Sequence, residues 1–413
     1  MSASKKLPSG EIIMQTLPKI EELDVQNRRV LVRVDYNVPM QNGQVGDPTR
    51  IVKSAATILD LCQRGAKVIL LSHLGRPDGK PNAEFSLRPL LPTISQALQN
   101  KPIAFVDDCI GQNVAAAIAA LPAGGILLCE NLRFHAGEEK NDAQFTAALA
   151  ALGDCYINDA FSAAHRAHAS TAGLAQKLPS AMGRLLQAEI EALQNTLENP
   201  ARPAWAIVGG AKISTKVEVL QNLLAKVDGL IIGGGMANTF LAAQGIAMGK
   251  SLVDTPSLPL ALQILQTAKQ TGKEILLPVD AVVASTLAAG VATQIVPVNA
   301  IPPEQMMLDI GPMSVIAIAK KLAVARTVLW NGPLGVFETK PFDGGTVAVA
   351  QEIARLTGAG KILSVAGGGD TVAALEHAGV VDGMSYVSTA GGAFLEWLEG
   401  KELPGITALR RAA

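Results

Sequence analysis

Residues 206–235 read AIVGGAKISTKVEVLQNLLAKVDGLIIGGG. An apolar run closes on Gly209 and Gly210. A segment whose apolar residues recur at helical spacing follows, STKVEVLQNLLAKVDG, and a second apolar run, LIIGG, ends in three glycines. Strands that are apolar throughout and separated by helices belong to a parallel sheet covered on both faces. The pattern extends outward in both directions. Expected strands upstream are VLVRVDY (30–36), KVILLS (67–72), ILLCE (126–130) and YIND (156–159). Downstream they are EILLPVD (274–280), TVLWNG (327–332) and KILSVAG (361–367).

A chain of 413 residues exceeds what one core usually accommodates, so two domains are expected. The stretch 183–203, GRLLQAEIEALQNTLENPARP, reads as a charged amphipathic helix closed by Asn199-Pro200 and Pro203. It divides the chain into two doubly wound lobes. The first covers 1–182, the connecting hinge helix 183–199 and the second lobe 200–392.

Lys and Arg (35) nearly balance Asp and Glu (36), which argues against a protein that coats nucleic acid or an anionic membrane through net charge. The uncharged stretches 230–249 and 281–303 carry glycines, prolines and amides, and read as buried strand–loop segments, not membrane spans. Cys62, Cys109, Cys129 and Cys155 lack paired spacing and read as buried free thiols of a reducing compartment. No targeting pattern opens the chain, so a cytoplasmic location is expected.

In open parallel sheets ligands bind beyond the carboxyl ends of the strands. In the first half those positions hold Asp35 and Asn37, Arg50 at a helix start, His73 and Arg76 in HLGR, Arg133 in ENLRFH, and Arg166 in AHRAHAS. Arginine's rigid fork matches carboxylate and phosphate oxygens two at a time. Each arginine alone could be a solvated surface residue; four arginines and a histidine at one sheet edge suit a ligand bearing both groups. His165 and His168 have no carboxylate or cysteine at matching spacing and read as flanking Arg166, not as metal ligands.

In the second half the strand ends are glycine-rich: Gly209-Gly210-Ala211-Lys212, Gly233-Gly234-Gly235, Asn331-Gly332-Pro333-Leu334-Gly335 and Gly367-Gly368-Gly369-Asp370-Thr371. Glycines between strand and helix let phosphate oxygens reach backbone N–H groups. Asp370 reads either as a helix cap or as an oxygen ligand for Mg²⁺. Standard fingerprints fail: 245–251, GIAMGKS, is one residue short of a P-loop, and neither GxGxxG nor GxSxG occurs. A nicotinamide-dependent oxidoreductase requires the missing dinucleotide fingerprint. A binding protein that has lost activity is disfavoured because the charged positions are filled.

Nine segments in order carry a resemblance: VRVDYNVP (32–39), SHLGRP (72–77), LLCENLRFHAGEEKND (127–142), INDAFSAAHRAHAST (157–171), GGAKISTK (209–216), GGGMANTF (233–240), LWNGPLGVFE (329–338), AGGGDT (366–371) and STAGGAFLEWLEG (388–400). The chain resembles the phosphoglycerate kinases. That resemblance implies binding of 3-phosphoglycerate or 1,3-bisphosphoglycerate on the first lobe by Asp35, Asn37, Arg50, His73, Arg76, Arg133 and Arg166. It implies ADP or ATP with Mg²⁺ on the second, at Lys212, Lys216, Gly233, Gly234, Gly235, Asn331, Pro333, Glu338, Gly367, Gly368, Gly369, Asp370 and Thr371. Glu338 is expected at the ribose and Asp370 at the metal, while Arg50, Lys212, Gly368 and Gly369 carry the transfer. The resemblance also implies a monomer, hinge closure, and a C-terminal segment from about 393 that completes the first lobe. Thr215 departs from the family's usual aspartate before the second lysine.

Overall fold

The computed structural model describes residues 17–410; the opening segment read above as lacking a leader, 1–16, and residues 411–413 lie outside the described residues. Two compact units are present. One runs to Glu191 and resumes at Glu402; the other spans Ala192–Lys401. The division falls inside the expected connecting helix, and the C-terminal return lies nine residues beyond the expected 393.

The first unit contains strands β1 (Arg29–Arg33), β2 (Met40–Gln41), β3 (Gln44–Val45), β4 (Lys67–Leu71), β5 (Ile103–Val106), β6 (Ile126–Cys129), β7 (Cys155–Asn158) and β8 (Ser180–Met182). Six of them form a parallel sheet in the order β5-β6-β4-β1-β7-β8, and β2 and β3 form a separate hairpin. Helices α1 (Thr49–Gln63), α2 (Leu91–Ala97), α3 (Gln112–Ala120), α4 (Ala143–Ala150), α5 (Leu174–Lys177) and α6 (Arg184–Leu193) connect or follow them. Helix α1 shows why these segments are helical. It buries Ile51, Ala55, Ile58, Leu61 and Cys62 on one stripe, against the apolar face of β1 and β4. Helix α6 continues as a π-helical turn over Gln194–Glu198 and stops at Asn199, before Pro200.

The second unit holds β9 (Ala204–Val208), β10 (Gly229–Ile232), β11 (Glu274–Leu276), β12 (Asp280–Ala284), β13 (Gln294–Pro297), β14 (Met306–Ile310), β15 (Thr327–Asn331), β16 (Leu363–Gly367) and β17 (Tyr386–Ser388). Its main sheet is again parallel, β11-β10-β9-β15-β16-β17. Helices α7 (Val217–Lys226), α8 (Gly234–Ala243), α9 (Leu258–Gln270), α10 (Pro312–Val324), α11 (Gly344–Gly358), α12 (Gly369–His377) and α13 (Gly392–Leu398) belong to this unit. A short last helix, α14 (Pro404–Thr407), belongs to the first. Each unit is thus a doubly wound α/β sheet.

Two readings need correction. EILLPVD is not one strand: Pro278 separates β11, an edge of the parallel sheet, from β12, the centre of an antiparallel sheet ordered β13-β12-β14. The stretch 281–303 is therefore not buried throughout. Its middle, including most of β13, faces solvent because an outer antiparallel strand needs only one covered face. The four cysteines are buried and free. No helix among the described residues is long and apolar enough to cross a membrane.

Candidate active site

In each unit the chain builds one flank of the sheet and then returns to build the other. The order reverses at β1 in the first unit and at β9 in the second. Crevices open at such reversals, beyond the carboxyl ends of the strands. The loops after β1, β4, β6 and β7 carry the basic set, and those after β9, β10, β15 and β16 carry the glycines.

In the first unit Asp35 is buried, and its Oδ2 accepts from Arg50 Nη1 at 2.8 Å and from the Ser162 hydroxyl. Arg50 Nη1 also donates to the Asn37 carbonyl at 2.9 Å. Asn37 Oδ1 accepts from Gly75 N at 2.9 Å, and the Gly75 carbonyl accepts from Arg133 Nη1 at 2.8 Å. One hydrogen-bonded chain therefore joins Asp35, Asn37, Arg50 and Arg133, residues up to 98 positions apart. Arg133 lies 3.2 Å and Arg166 4.0 Å from the same oxygen of Glu139. Arg76 is exposed and makes no ion pair among the described residues.

Beneath this set lies a buried group that the sequence reading did not single out. Arg33, 1% exposed, donates from Nη2 to His73 Nδ1 at 2.9 Å, from Nε to Ser170 Oγ at 2.8 Å, and to the Val34 carbonyl. Ser170 Oγ donates to Oε1 of the fully buried Glu138 at 2.5 Å, and Ser170 N donates to Oε2 at 3.0 Å. Burial and the adjacent guanidinium groups push His73 well below the ordinary imidazole range and His168 down to about 3. Arginine can only donate, so Nδ1 of neutral His73 accepts and Nε2 carries the proton. The site thus offers fixed donors without imidazolium charge. Arg33 was legible in principle: a charged residue inside VLVRVDY, in a sheet covered on both faces, must be buried and partnered.

In the second unit Lys216 Nζ donates to the Gly209 carbonyl and to Asn331 Oδ1, both at 2.7 Å, and contacts Asn331 O at 3.2 Å. Burial lowers its pKa to about 8, with Asp370 opposing the shift. Asn331 Nδ2 donates to the Gly367 carbonyl at 2.8 Å, and Gly332 N donates to Thr371 Oγ1 at 2.7 Å. The loops after β9, β15 and β16 are therefore tied together. Lys212 stays exposed on the turn 213–215, where Thr215 Oγ1 donates to the Lys212 carbonyl at 2.8 Å. Thr215 steadies that turn and adds no negative charge.

Not every glycine offers a free N–H. Gly233 N donates to the Val208 carbonyl and Gly234 N to that of Leu334. A Cβ at Gly209 would lie 1.8 Å from the Pro333 carbonyl oxygen, so this glycine permits two loops to touch. Gly368 is different. It sits at φ +98°, just before α12, and a Cβ on Gly369 would meet nothing within 4 Å. The open helix terminus at 368–370 is where an anion has access to backbone donors.

A pocket of about 450 Å³ adjoins this terminus. Asp370, Gly210, Glu338, Pro333, Gly234 and Gly235 line it, together with the apolar side chains Leu252, Leu287, Met306 and Val336. Those apolar residues come from four separate segments, which is why no local motif announces them. Asp370 and Glu338 are both exposed, and Asp370 makes no hydrogen bond or ion pair among the described residues.

Two α/β units with parallel main sheets, one with a basic strand-end crevice and the other with a glycine-lined pocket, have the layout of an α/β phosphotransferase. The family model for phosphoglycerate kinase matches residues 20–401. The phosphoglycerate kinase of Methylorubrum extorquens strain PA1 is 59% identical over 386 residues, covering 94% of this chain and 96% of that one. The solved structure of phosphoglycerate kinase from Coxiella burnetii matches with a TM-score of 0.88 at 44% identity, covering 95% of this chain and 98% of the other. That from Pyrococcus horikoshii OT3 matches with a TM-score of 0.79 at 30% identity and the same coverage. The chain belongs to the phosphoglycerate kinase family, and its activity is that family's, phosphoryl transfer between 1,3-bisphosphoglycerate and ADP.

Proposed function

We propose that the basic crevice of the first unit binds 3-phosphoglycerate or 1,3-bisphosphoglycerate through Asp35, Asn37, Arg50, His73, Arg76, Arg133 and Arg166. The glycine-lined pocket of the second unit then takes the nucleotide. The observation that carries this reading is the hydrogen-bonded chain from Asp35 through Arg50 and Asn37 to Arg133. It fixes two guanidinium groups at one sheet edge before any ligand arrives, so little ordering cost falls on binding. In the second unit the apolar wall suits a base, Glu338 the ribose hydroxyls, and the 368–370 terminus the phosphates.

Phosphoryl transfer asks a protein chiefly for positioning and neutralisation of charge. In the ATP-forming direction a terminal oxygen of ADP attacks the acyl phosphate and the carboxylate leaves, so no general acid is needed. Arg50 and Lys212 are assigned to the three equatorial oxygens of the transferring group, with the N–H groups of Gly368 and Gly369 on the nucleotide phosphates. Helix α6 serves as the hinge, the chain acts as a monomer, and its location is cytoplasmic.

Asp370 fits a magnesium site: it supplies a hard, unpartnered carboxylate at the pocket's phosphate end. One carboxylate with nucleotide oxygens and water is the ligand set that Mg²⁺ prefers, and the ion neutralises phosphate charge when bound. The test is a coupled assay with ATP and 3-phosphoglycerate. Turnover requires both, is abolished by EDTA, and returns with excess Mg²⁺. Activity that survives chelation removes the assignment of Asp370 to a metal.

A further inference from the structure

Away from the residues assigned to the reaction, the carboxyl ends of β5 and β6 bring together three side chains of different chemistry. The carboxylate of Asp108, the thiol of Cys109 and the imidazole of His135 have ligand atoms that all lie within 4.8 Å of one another. Asp108 and His135 line a concave pocket of about 510 Å³ together with Ser86, Glu130 and Asn131. We propose that this triad is a binding site for a borderline-soft divalent cation of the zinc class, distinct from the magnesium expected with the nucleotide.

Four observations support it. Cys109 is 1% exposed, and its thiol makes no hydrogen bond among the described residues, yet it faces two other ligand groups. His135 Nε2 and Asp108 Oδ1 are 2.7 Å apart, so a hydrogen bond already holds imidazole and carboxylate side by side. His135 is further fixed by stacking on Phe145, with ring centroids 5.1 Å apart. The neighbouring charges are already engaged: Arg88 pairs with Asp107, and Glu130 accepts from Ser86 Oγ, Leu87 N and Asn131 N. Asp108 Oδ1 accepts from His135 Nε2 and from Cys109 N at 2.6 Å, and its Oδ2 makes no hydrogen bond among the described residues, so this carboxylate keeps an oxygen able to meet a cation.

Zinc sits about 2.3 Å from sulfur and about 2.0–2.2 Å from nitrogen or oxygen. In a tetrahedron those lengths separate ligand atoms by roughly 3.2–3.6 Å. Entry of the ion therefore opens the Asp108–His135 contact by about 0.5–0.9 Å and draws the sulfur in. The thiol proton leaves to solvent as the metal–sulfur bond forms, one proton per ion, while the His135 ring proton moves from Nε2 to Nδ1, so that Nε2 gives up its hydrogen bond to Asp108 and binds through its lone pair. Water from the pocket fills the fourth position. A mixed S, N, O set with an open position suits zinc and cobalt far better than magnesium.

Titration of the full-length protein with Co²⁺, in the absence of nucleotide and of Mg²⁺, tests the proposal. A 1:1 complex with a near-ultraviolet sulfur-to-cobalt charge-transfer band is expected, and Zn²⁺ should displace it. An oxygen-only site cannot give that band. Cys109→Ser should abolish it, and His135→Ala should weaken binding by about tenfold or more. Cys129→Ser should leave it intact. Retained kinase turnover in each variant shows that the fold survives. No sulfur band in the parent protein, or a band lost with Cys129→Ser and kept in Cys109→Ser, overturns the assignment.

Discussion

Arg33 Nη2 and His73 Nδ1 lie 2.9 Å apart within the first unit, and this contact determines which imidazole nitrogen carries a proton. The same guanidinium reaches the buried Glu138 through Ser170 Oγ, so one arginine both orients His73 and offsets a buried carboxylate. Arg33→Met should lower stability by about 3 kcal/mol, because the buried Glu138 keeps its Ser170 donors but loses the nearest positive charge offsetting its burial. Arg33→Met should also raise the KM for 3-phosphoglycerate while that for ATP holds. Adding Glu138→Gln should restore part of the stability and none of the KM. Chemical denaturation and steady-state kinetics read the two effects separately; equal changes in both KM values would refute the orienting role.

Arg50 and Arg76 should fail differently. Arg50 is held by Asp35 and the Asn37 carbonyl, whereas Arg76 is exposed and unpaired among the described residues. Arg50→Ala is expected to cut kcat by roughly 10²–10⁵ with nucleotide affinity near normal. Arg76→Ala should chiefly raise the KM for 3-phosphoglycerate. Full turnover in the first variant, or an unchanged KM in the second, counts against these assignments.

Glu338 lines the glycine-rich pocket of the second unit and is exposed. Glu338→Ala should weaken ATP binding about tenfold, the loss of one or two hydrogen bonds to a carboxylate. The melting temperature should stay unchanged. Calorimetric titration with ATP checks it; an unaltered Kd removes Glu338 from the ribose.

Asp309 accepts from Ile310 N and Gly345 N, and burial raises its pKa to about 7. The unfolded chain loses this proton near the ordinary aspartate value, whereas the folded chain keeps it to about pH 7. The folded state therefore binds more protons in that window. The contribution to stability is complete below the ordinary value and fades as pH rises through 7. Asp309→Asn should flatten this part of the stability profile. The difference from the parent protein should vary between pH 5 and pH 8, as measured by urea denaturation. A difference independent of pH would show that Asp309 ionises normally.

The continuous apolar runs identified most central strands, since a strand covered on both faces has no polar side to show. Three of the four outer strands of the two parallel sheets escaped. β5 is only partly buried, while β8 and β17 have three residues each, too few to establish a period. The basic set stood out because arginines are conspicuous at strand ends. The apolar wall of Leu252, Leu287, Met306 and Val336 did not, because its members are ordinary hydrophobic residues in separate segments.

The amino-acid order alone settled the parallel α/β layering, the two-part division and the chemistry offered at strand ends. Each follows from local pattern: burial period, helix breakers, and which donors sit just after a strand. Tertiary structure decided which of those donors meet. Arg33 with His73 and Lys216 with Asn331 are joined by strand order, and the order in which strands assemble is written in no single segment. It also separated the glycines that allow loops to touch from those that open a helix terminus to an anion. That distinction depends on what lies across the gap, not on the residue itself.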